Sequence, residues 1–352
     1  MTRIFKFYVT VFGMIIIAML SSCEDVNENI EEGNDQSAYI LCEGNFGYAT
    51  ASLWTLSEDM MQLDGPLHWT LGSDSENPLG DVGQSLHIDN DRLYIVMNNS
   101  HRIEMMDISG NVIDYYDGFD LPNASPRDIE VKGDIGFISS WNYNAILVYD
   151  LNSLATLDTV FLGDLRQPEQ LLLMGNYLYA SVKQHSDGSS ANNLMRYFIE
   201  GNSLVLDTIF MVCEGAGNML LNDNKLYIAG SYYDTDWNKY ATQSVVNLFT
   251  EQIISKDYGK VSNSTADLFI YKDEMYRNYE NSYQKLDNEL NLIKNSNTPE
   301  LPGLYTITAI DDYIIAGTTD YAADNKIHII DENGNILRSL QTGALPGEIL
   351  GK

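Results

Sequence analysis

A short phrase recurs along this chain: an apolar strand, a two-residue polar turn, and a second strand that opens on an aliphatic-aromatic or similar pair. Its copies run Ser85-Leu86-His87-Ile88 into Leu93-Tyr94, Asp128-Ile129-Glu130-Val131 into Gly136-Phe137, and Gln170-Leu171-Leu172-Leu173 into Leu178-Tyr179. They continue with Asn218-Met219-Leu220-Leu221 into Leu226-Tyr227, Asp267-Leu268-Phe269-Ile270 into Met275-Tyr276, and Thr306-Ile307-Thr308-Ala309 into Ile314-Ile315. Measured between Tyr94, Phe137, Tyr179, Tyr227, Tyr276 and Ile315, the spacings are 43, 42, 48, 49 and 39 residues. A period of that size marks stacked supersecondary units, none of which can bury both of its faces alone.

Each phrase extends into a third strand, as in Arg102-Ile103-Glu104-Met105-Met106-Asp107, and past a turn into a fourth, as in Ile336-Leu337-Arg338-Ser339. Four antiparallel strands per unit predict a β-propeller blade. Near the start, Tyr39 to Cys42 and Ser52 to Leu56 read as a second and a third strand lacking a first; near the end, Gly343 to Leu350 reads as a first strand with nothing after it. Joined, they complete a seventh blade and leave no open sheet edge. The expected fold is therefore all-β: a seven-bladed propeller over residues 38–352, closed by the C-terminal strand. The pairs Asn90-Asp91, Gly133-Asp134, Gly175-Asn176, Asp223-Asn224 and Asp311-Asp312 have tight-hairpin chemistry. Asp89 to Asp91 and Asp331 to Asn335 read as turns, lacking the ligand count and glycine placement of a calcium loop.

Before the repeats, Arg3 and Lys6 precede an apolar run from Phe7 to Leu20 that ends in Ser21-Ser22-Cys23, the layout of a secretory signal peptide over residues 1–22. The run is short for a membrane span. Its end resembles the bacterial lipobox, which implies lipidation at Cys23; the competing reading is an ordinary signal peptide. Residues 23–37 begin with an acidic, polar stretch that reads as a flexible tether. That stretch resembles the surface-export signal of Bacteroidota-type lipoproteins, which implies an outer-membrane, cell-surface location; the competing reading is a solvated linker.

The formal net charge of -30, about -32 without residues 1–22, makes nucleic acid a poor partner. Beyond Cys23 only Cys42 and Cys213 remain, too few for a disulfide framework, and both read as core side chains. No cofactor or metal centre is expected. The five histidines, His68, His87, His101, His185 and His328, fall at scattered blade positions, and no nucleophile elbow, zinc helix or phosphate loop is present. Carboxylates are too numerous to single out an acid-base pair. A binder is expected over a propeller enzyme of lactonase or lyase type.

The phrases Leu93-Tyr94-Ile95-Val96-Met97-Asn98 and Ile103-Glu104-Met105-Met106-Asp107 resemble the YVTN-repeat, YncE-like propellers. Leu41-Cys42-Glu43-Gly44-Asn45-Phe46-Gly47 and Gly80-Asp81-Val82-Gly83-Gln84 are similar to Bacteroidota surface propellers. Some of those bind vitamin B12 (cobalamin) and pass it to a TonB-dependent outer-membrane transporter, so the resemblance implies nutrient capture.

Loops joining second to third strands share a face with the blade-to-blade connections. On that face the chain places Asn45, Phe46, Tyr48, Asn98, Asn99, His101, Arg102, Trp141, Asn142 and Tyr143. Further round it places Gln184, His185, Tyr232, Tyr233, Trp237, Arg277, Tyr279, Asp320 and Tyr321, while turns on the opposite face are expected to lack aromatics. Flat apolar rings with amides between them suit a large amphipathic ligand, a corrinoid or a glycan. A protein-docking role would use the same rim, and the competing reading is that these residues cap blades and build turns.

Overall fold

The computed structural model describes residues 36–67, 79–108, 114–263, 265–294 and 297–352. The expected signal peptide, Cys23 as the expected lipidation site, residues 23–35 of the expected tether and His68 lie outside the described residues. The strands belong to one compact unit, Asp35–Lys352.

Twenty-eight described strands form seven four-stranded antiparallel sheets, so the chain is a seven-bladed β-propeller. The first strands of blades 2 to 7 are β4 (Gly83–Asp89), β8 (Pro126–Lys132), β12 (Leu165–Met174), β16 (Ala216–Asn222), β20 (Leu268–Tyr271) and β24 (Leu304–Ile310). Blade 1 takes its first strand from the chain end: β28 (Pro346–Gly351) pairs with β1 (Gln36–Cys42), followed by β2 (Ser52–Ser57) and β3 (Leu63–Asp64). Ile349 lies opposite Ile40 and Leu350 opposite Tyr39, which is the closure the orphan strands require. The seven first strands touch in a closed cycle, from β4 through β8, β12, β16, β20, β24 and β28 back to β4.

The physical reason for closure is visible in the core. Seven hydrophobic clusters occupy the seven blade-to-blade interfaces, each drawing side chains from two neighbours. Phe137 and Ile146 of blade 3, for example, pack with Leu171 and Leu178 of blade 4, and Ile40 of blade 1 packs with Ile315 and Ile327 of blade 7. Interior second strands such as β5 (Arg92–Met97) are buried on both faces and read as nearly continuous apolar runs. Phe137 is fully enclosed, so Phe137→Ala costs about 3–5 kcal/mol. Cys42 and Cys213 are free and buried, as the composition predicts.

The hairpin turns carry positive φ at Asn90, Gly133, Gly175, Asp223 and Asp311, the left-handed region that Asn, Asp and Gly tolerate. At Asp331 the carboxylate accepts the backbone N–H groups of Asn333 and Asn335, which makes that segment an Asx turn. One expectation about the opposite face needs correction. Phe249 stands 86% exposed in the third-to-fourth turn of blade 5, because the turn uses Asn247 to cap its backbone and leaves the ring outside.

Candidate site in the central channel and its rim

The first strands alternate. In β8, Ile129 and Val131 are buried in the interface with blade 2, while Asp128 and Glu130 point the other way, toward blade 4. Asp128 thereby accepts the N–H of Leu171 at 2.8 Å, an edge amide that no strand pairs. The same stitch recurs where Gln170 accepts Met219 N–H and where Asp267 accepts Ile307 N–H. Around the channel this position is held by Ser85, Asp128, Gln170, Asn218, Asp267, Thr306 and Glu348, one polar side chain from each blade, and together they line a cavity of about 180 Å³.

The electrostatics of this ring follow from its enclosure. Burial pushes Asp267 up to about 6 and Asp128 up to about 7, each against the hydrogen bonds that favour its charged form. Glu130, one step further from the loop face, rises to about 8 through burial and repulsion from Asp128 and Asp89. Glu348 is raised well above the usual carboxylate range by burial and by its repulsion from Asp128 and Asp267.

One residue closer to the loop face, the chemistry reverses. Arg127 holds Glu169 through two contacts, Nη2 to Oε1 at 2.6 Å and Nε to Oε2 at 3.3 Å, and it also donates to Gln84. Lys183 Nζ reaches Glu169 Oε1 at 3.2 Å, and Trp141 Nε1 donates to Oε2 at 3.0 Å. The Arg127 guanidinium lies 4.1 Å over the Trp141 ring. Burial alone would push Glu169 up; Arg127 and Lys183 overcome it and hold the carboxyl at about 2. The missing side chain at Gly217 leaves room for Lys183, whose Cε lies 3.3 Å from where a Cβ would stand. Nearby, Tyr305 hydrogen-bonds Glu43, whose carboxyl is raised by burial and lowered in part by Tyr305 and Arg127.

The residues nominated on the loop face divide. Phe46, Tyr48, Tyr143, Tyr233, Trp237 and Tyr321 are exposed, from 42% at Tyr143 to 83% at Trp237. Asn45, Asn142 and Asp320 are also exposed, the last spent in an Asx turn to Ala322 and Asp324. Tyr232 stacks on Tyr240 at 5.1 Å, Tyr233 leans on Trp237, and Tyr321 meets Tyr305 edge-on. These contacts stay within single blades. The aromatics are separate posts on blades 1, 3, 5 and 7.

Others serve the fold. Asn98 donates to Ser125 Oγ and Pro126 O, His101 Nδ1 accepts from Ser125 N–H, and Asn99 donates to Asp81. Asp81 also accepts from Gly47 N–H, so it joins the segments 41–47 and 80–84. Arg102 pairs with Glu104 and Asp120. Gln184 and His185 belong to β13 (Tyr177–His185) and Tyr279 to β21 (Glu274–Tyr279), where it packs edge-on against Tyr258. Trp141 is drawn into the channel mouth. Arg277 is a correction: it is in β21, fully buried, donating to Thr242 O and Gln243 Oε1 and lying 4.8 Å over Tyr258. The strand continues through Tyr279 and turns at Glu280, so Arg277 never reaches the loop.

The seven-residue ring and the Arg127–Glu169–Lys183 cluster were not singled out by sequence reasoning. The signal for the ring was present, since a polar residue stands directly before the first apolar residue of each phrase. Among the described residues, no group of three or more His, Cys, Asp or Glu is placed to hold a metal ion.

No family model and no curated protein matches the sequence. Among solved structures, the chain is similar to a functionally unknown protein from Desulfotomaculum acetoxidans, with a TM-score of 0.60, 11% identity, and 90% of this chain and 99% of that one covered. It is similar to a provisionally named 6-phosphogluconolactonase from Bacteroides fragilis at a TM-score of 0.60 and 14% identity, covering 91% and 99% of the two chains. Kuenenia stuttgartiensis hydrazine synthase follows at 0.56 and 12%, covering 81% and 90%. At such identities the likeness shows the propeller fold alone.

Proposed function

We propose that this chain is a lipid-anchored binding propeller of the outer membrane that captures a large amphipathic ligand on its loop face, a corrinoid before a glycan, for a TonB-dependent transporter. The observation that carries the reading is the set of exposed aromatics on that one face. Trp237, Tyr48, Phe46 and Tyr321 are each more than 70% exposed. Holding large rings in water has no folding benefit, and such rings are the anchors that amphipathic ligands use. The channel cavity, about 180 Å³, falls below the roughly 300–1,000 Å³ of drug-sized pockets, so a macrocycle would lie across the rim.

Calorimetric titration with cyanocobalamin and with a glycan panel tests it. Heat with the corrinoid, weakened about tenfold or more by Trp237→Ala, supports the first ligand class; heat with glycans alone moves the reading to the second. Silence with both overturns ligand capture and leaves protein docking. A second reading, catalysis in the channel, is favoured by one observation: Asp128 at about 7 is poised for proton transfer near neutrality. Hydrolysis of a lactone panel that is lost in Asp128→Asn would establish it.

A further inference from the structure

The stitching of the channel accounts for some of its acids and leaves one over. Asp128 and Asp267 each accept an edge N–H from the next blade, and Asn218 donates to Asp267 at 3.1 Å. Glu348 stands at the same position of blade 1. Among the described residues, no donor reaches its carboxyl, which lines the cavity on a half-buried side chain. A carboxyl withdrawn from water without a hydrogen bond or counter-charge is costly, and proteins keep such groups neutral or pair them.

We propose that the ring closed by Glu348 binds a small organic cation, an ammonium compound no larger than one six-membered ring, at a site separate from the loop face. Three observations set that class. The cavity of about 180 Å³ compares with the roughly 150 Å³ that accommodates benzene, so one ring fits. The ring's own charged members, Asp128, Asp267 and Glu348, come from three different blades and are all acidic, and Ser85, Gln170, Asn218 and Thr306 add neutral hydrogen-bonding groups; the cavity's other two charged residues, Arg127 and Glu169, are paired with each other at its mouth. The acids also lack the close grouping that chelates a metal ion, so a guest must span the space between them.

The groups facing this ring sharpen the pH dependence. On the loop side, Arg127 and Lys183 are committed to Glu169, while Lys239 and Arg277 act on Asp267 only over a distance. On the other side Glu130 adds another acid. Without a guest the ring therefore holds protons near neutrality, and a cation entering it displaces them. Affinity rises with pH through the interval from about 6 to about 7 in which Asp267 and Asp128 ionise.

The test is calorimetry on the folded propeller with choline, whose charge is permanent, and with glucosamine against glucose; calcium chloride is the metal control. Expected are binding of choline that tightens about tenfold between pH 6 and pH 8, a preference of tenfold or more for glucosamine over glucose, and proton release seen as buffer-dependent heat. Glu348→Gln should weaken choline tenfold or more at pH 8. If that variant fails to fold, the buffer-dependent heats on the unaltered chain decide. Equal binding of glucose and glucosamine, binding of calcium alone, full binding by Glu348→Gln, or no heat with any probe overturns the proposal. None of these outcomes bears on cyanocobalamin at the rim.

Discussion

Two successive layers of one channel treat a carboxylate in opposite ways. At the mouth, Glu169 is nearly enclosed yet stays charged, because Arg127, Lys183 and Trp141 all donate to it. One step deeper, Glu348 is also taken out of bulk water, but its neighbours are Asp128 and Asp267 and its carboxyl is driven toward the neutral form. Both carboxyls lose bulk water; the partners decide the outcome. The mouth is a finished structural clamp joining blades 3 and 4, whereas the ring is an unfinished polar site.

The largest test of that contrast is removal of the clamped acid. Glu169→Ala leaves Arg127 and Lys183 facing one another with no counter-charge, and it should destabilise the fold by about 3–5 kcal/mol by denaturant titration. A loss below about 1 kcal/mol would mean that solvent already screens the mouth.

Next in size is the pH profile of thermal unfolding. Asp267, Asp128 and Glu130 titrate higher in the folded chain, at about 6, 7 and 8, than the roughly 4 of an unfolded carboxyl. Their contribution is complete below about pH 4 and is lost as pH rises through those values. Glu169, at about 2, has the opposite sign: its contribution is complete above about pH 4.5 and is lost as pH falls toward 2. The melting temperature should therefore be higher near pH 5 than at pH 8.

The smallest effect is at the unpartnered acid. Glu348→Gln should lie within about 0.5 kcal/mol of the unaltered chain at pH 6 and become the more stable of the two as pH rises, since the amide has no charge to bury. A loss comparable to that of Glu169→Ala would erase the distinction between the layers.

Much of this architecture was legible in the sequence. The marker residues Tyr94, Phe137, Tyr179 and Ile315 are buried where the repeat places them, and the closure by residues near Ile349 follows from strands that lack partners. The channel was less legible. Asp128 and Asp267 open their phrases in plain view, but nothing local tells an acid that faces a shared axis from one that faces water, among 50 acidic residues. The clamp is harder still, since Arg127, Trp141, Glu169 and Lys183 meet only once two blades have packed. On the rim, exposed rings such as Trp237 were correctly placed outside, whereas Asn98 and His101 turned inward to hold Ser125. Arg277 was misplaced because a polar, aromatic run reads equally as loop or strand end.

The opposition between the two layers can be measured directly by carbon-detected NMR titration of the side-chain carboxyls. The account predicts Glu169 titrating at about 2, with Asp267 at about 6 and Asp128 at about 7 in the same molecule. All three titrating together near 4, the value of a solvated carboxylate, would contradict it.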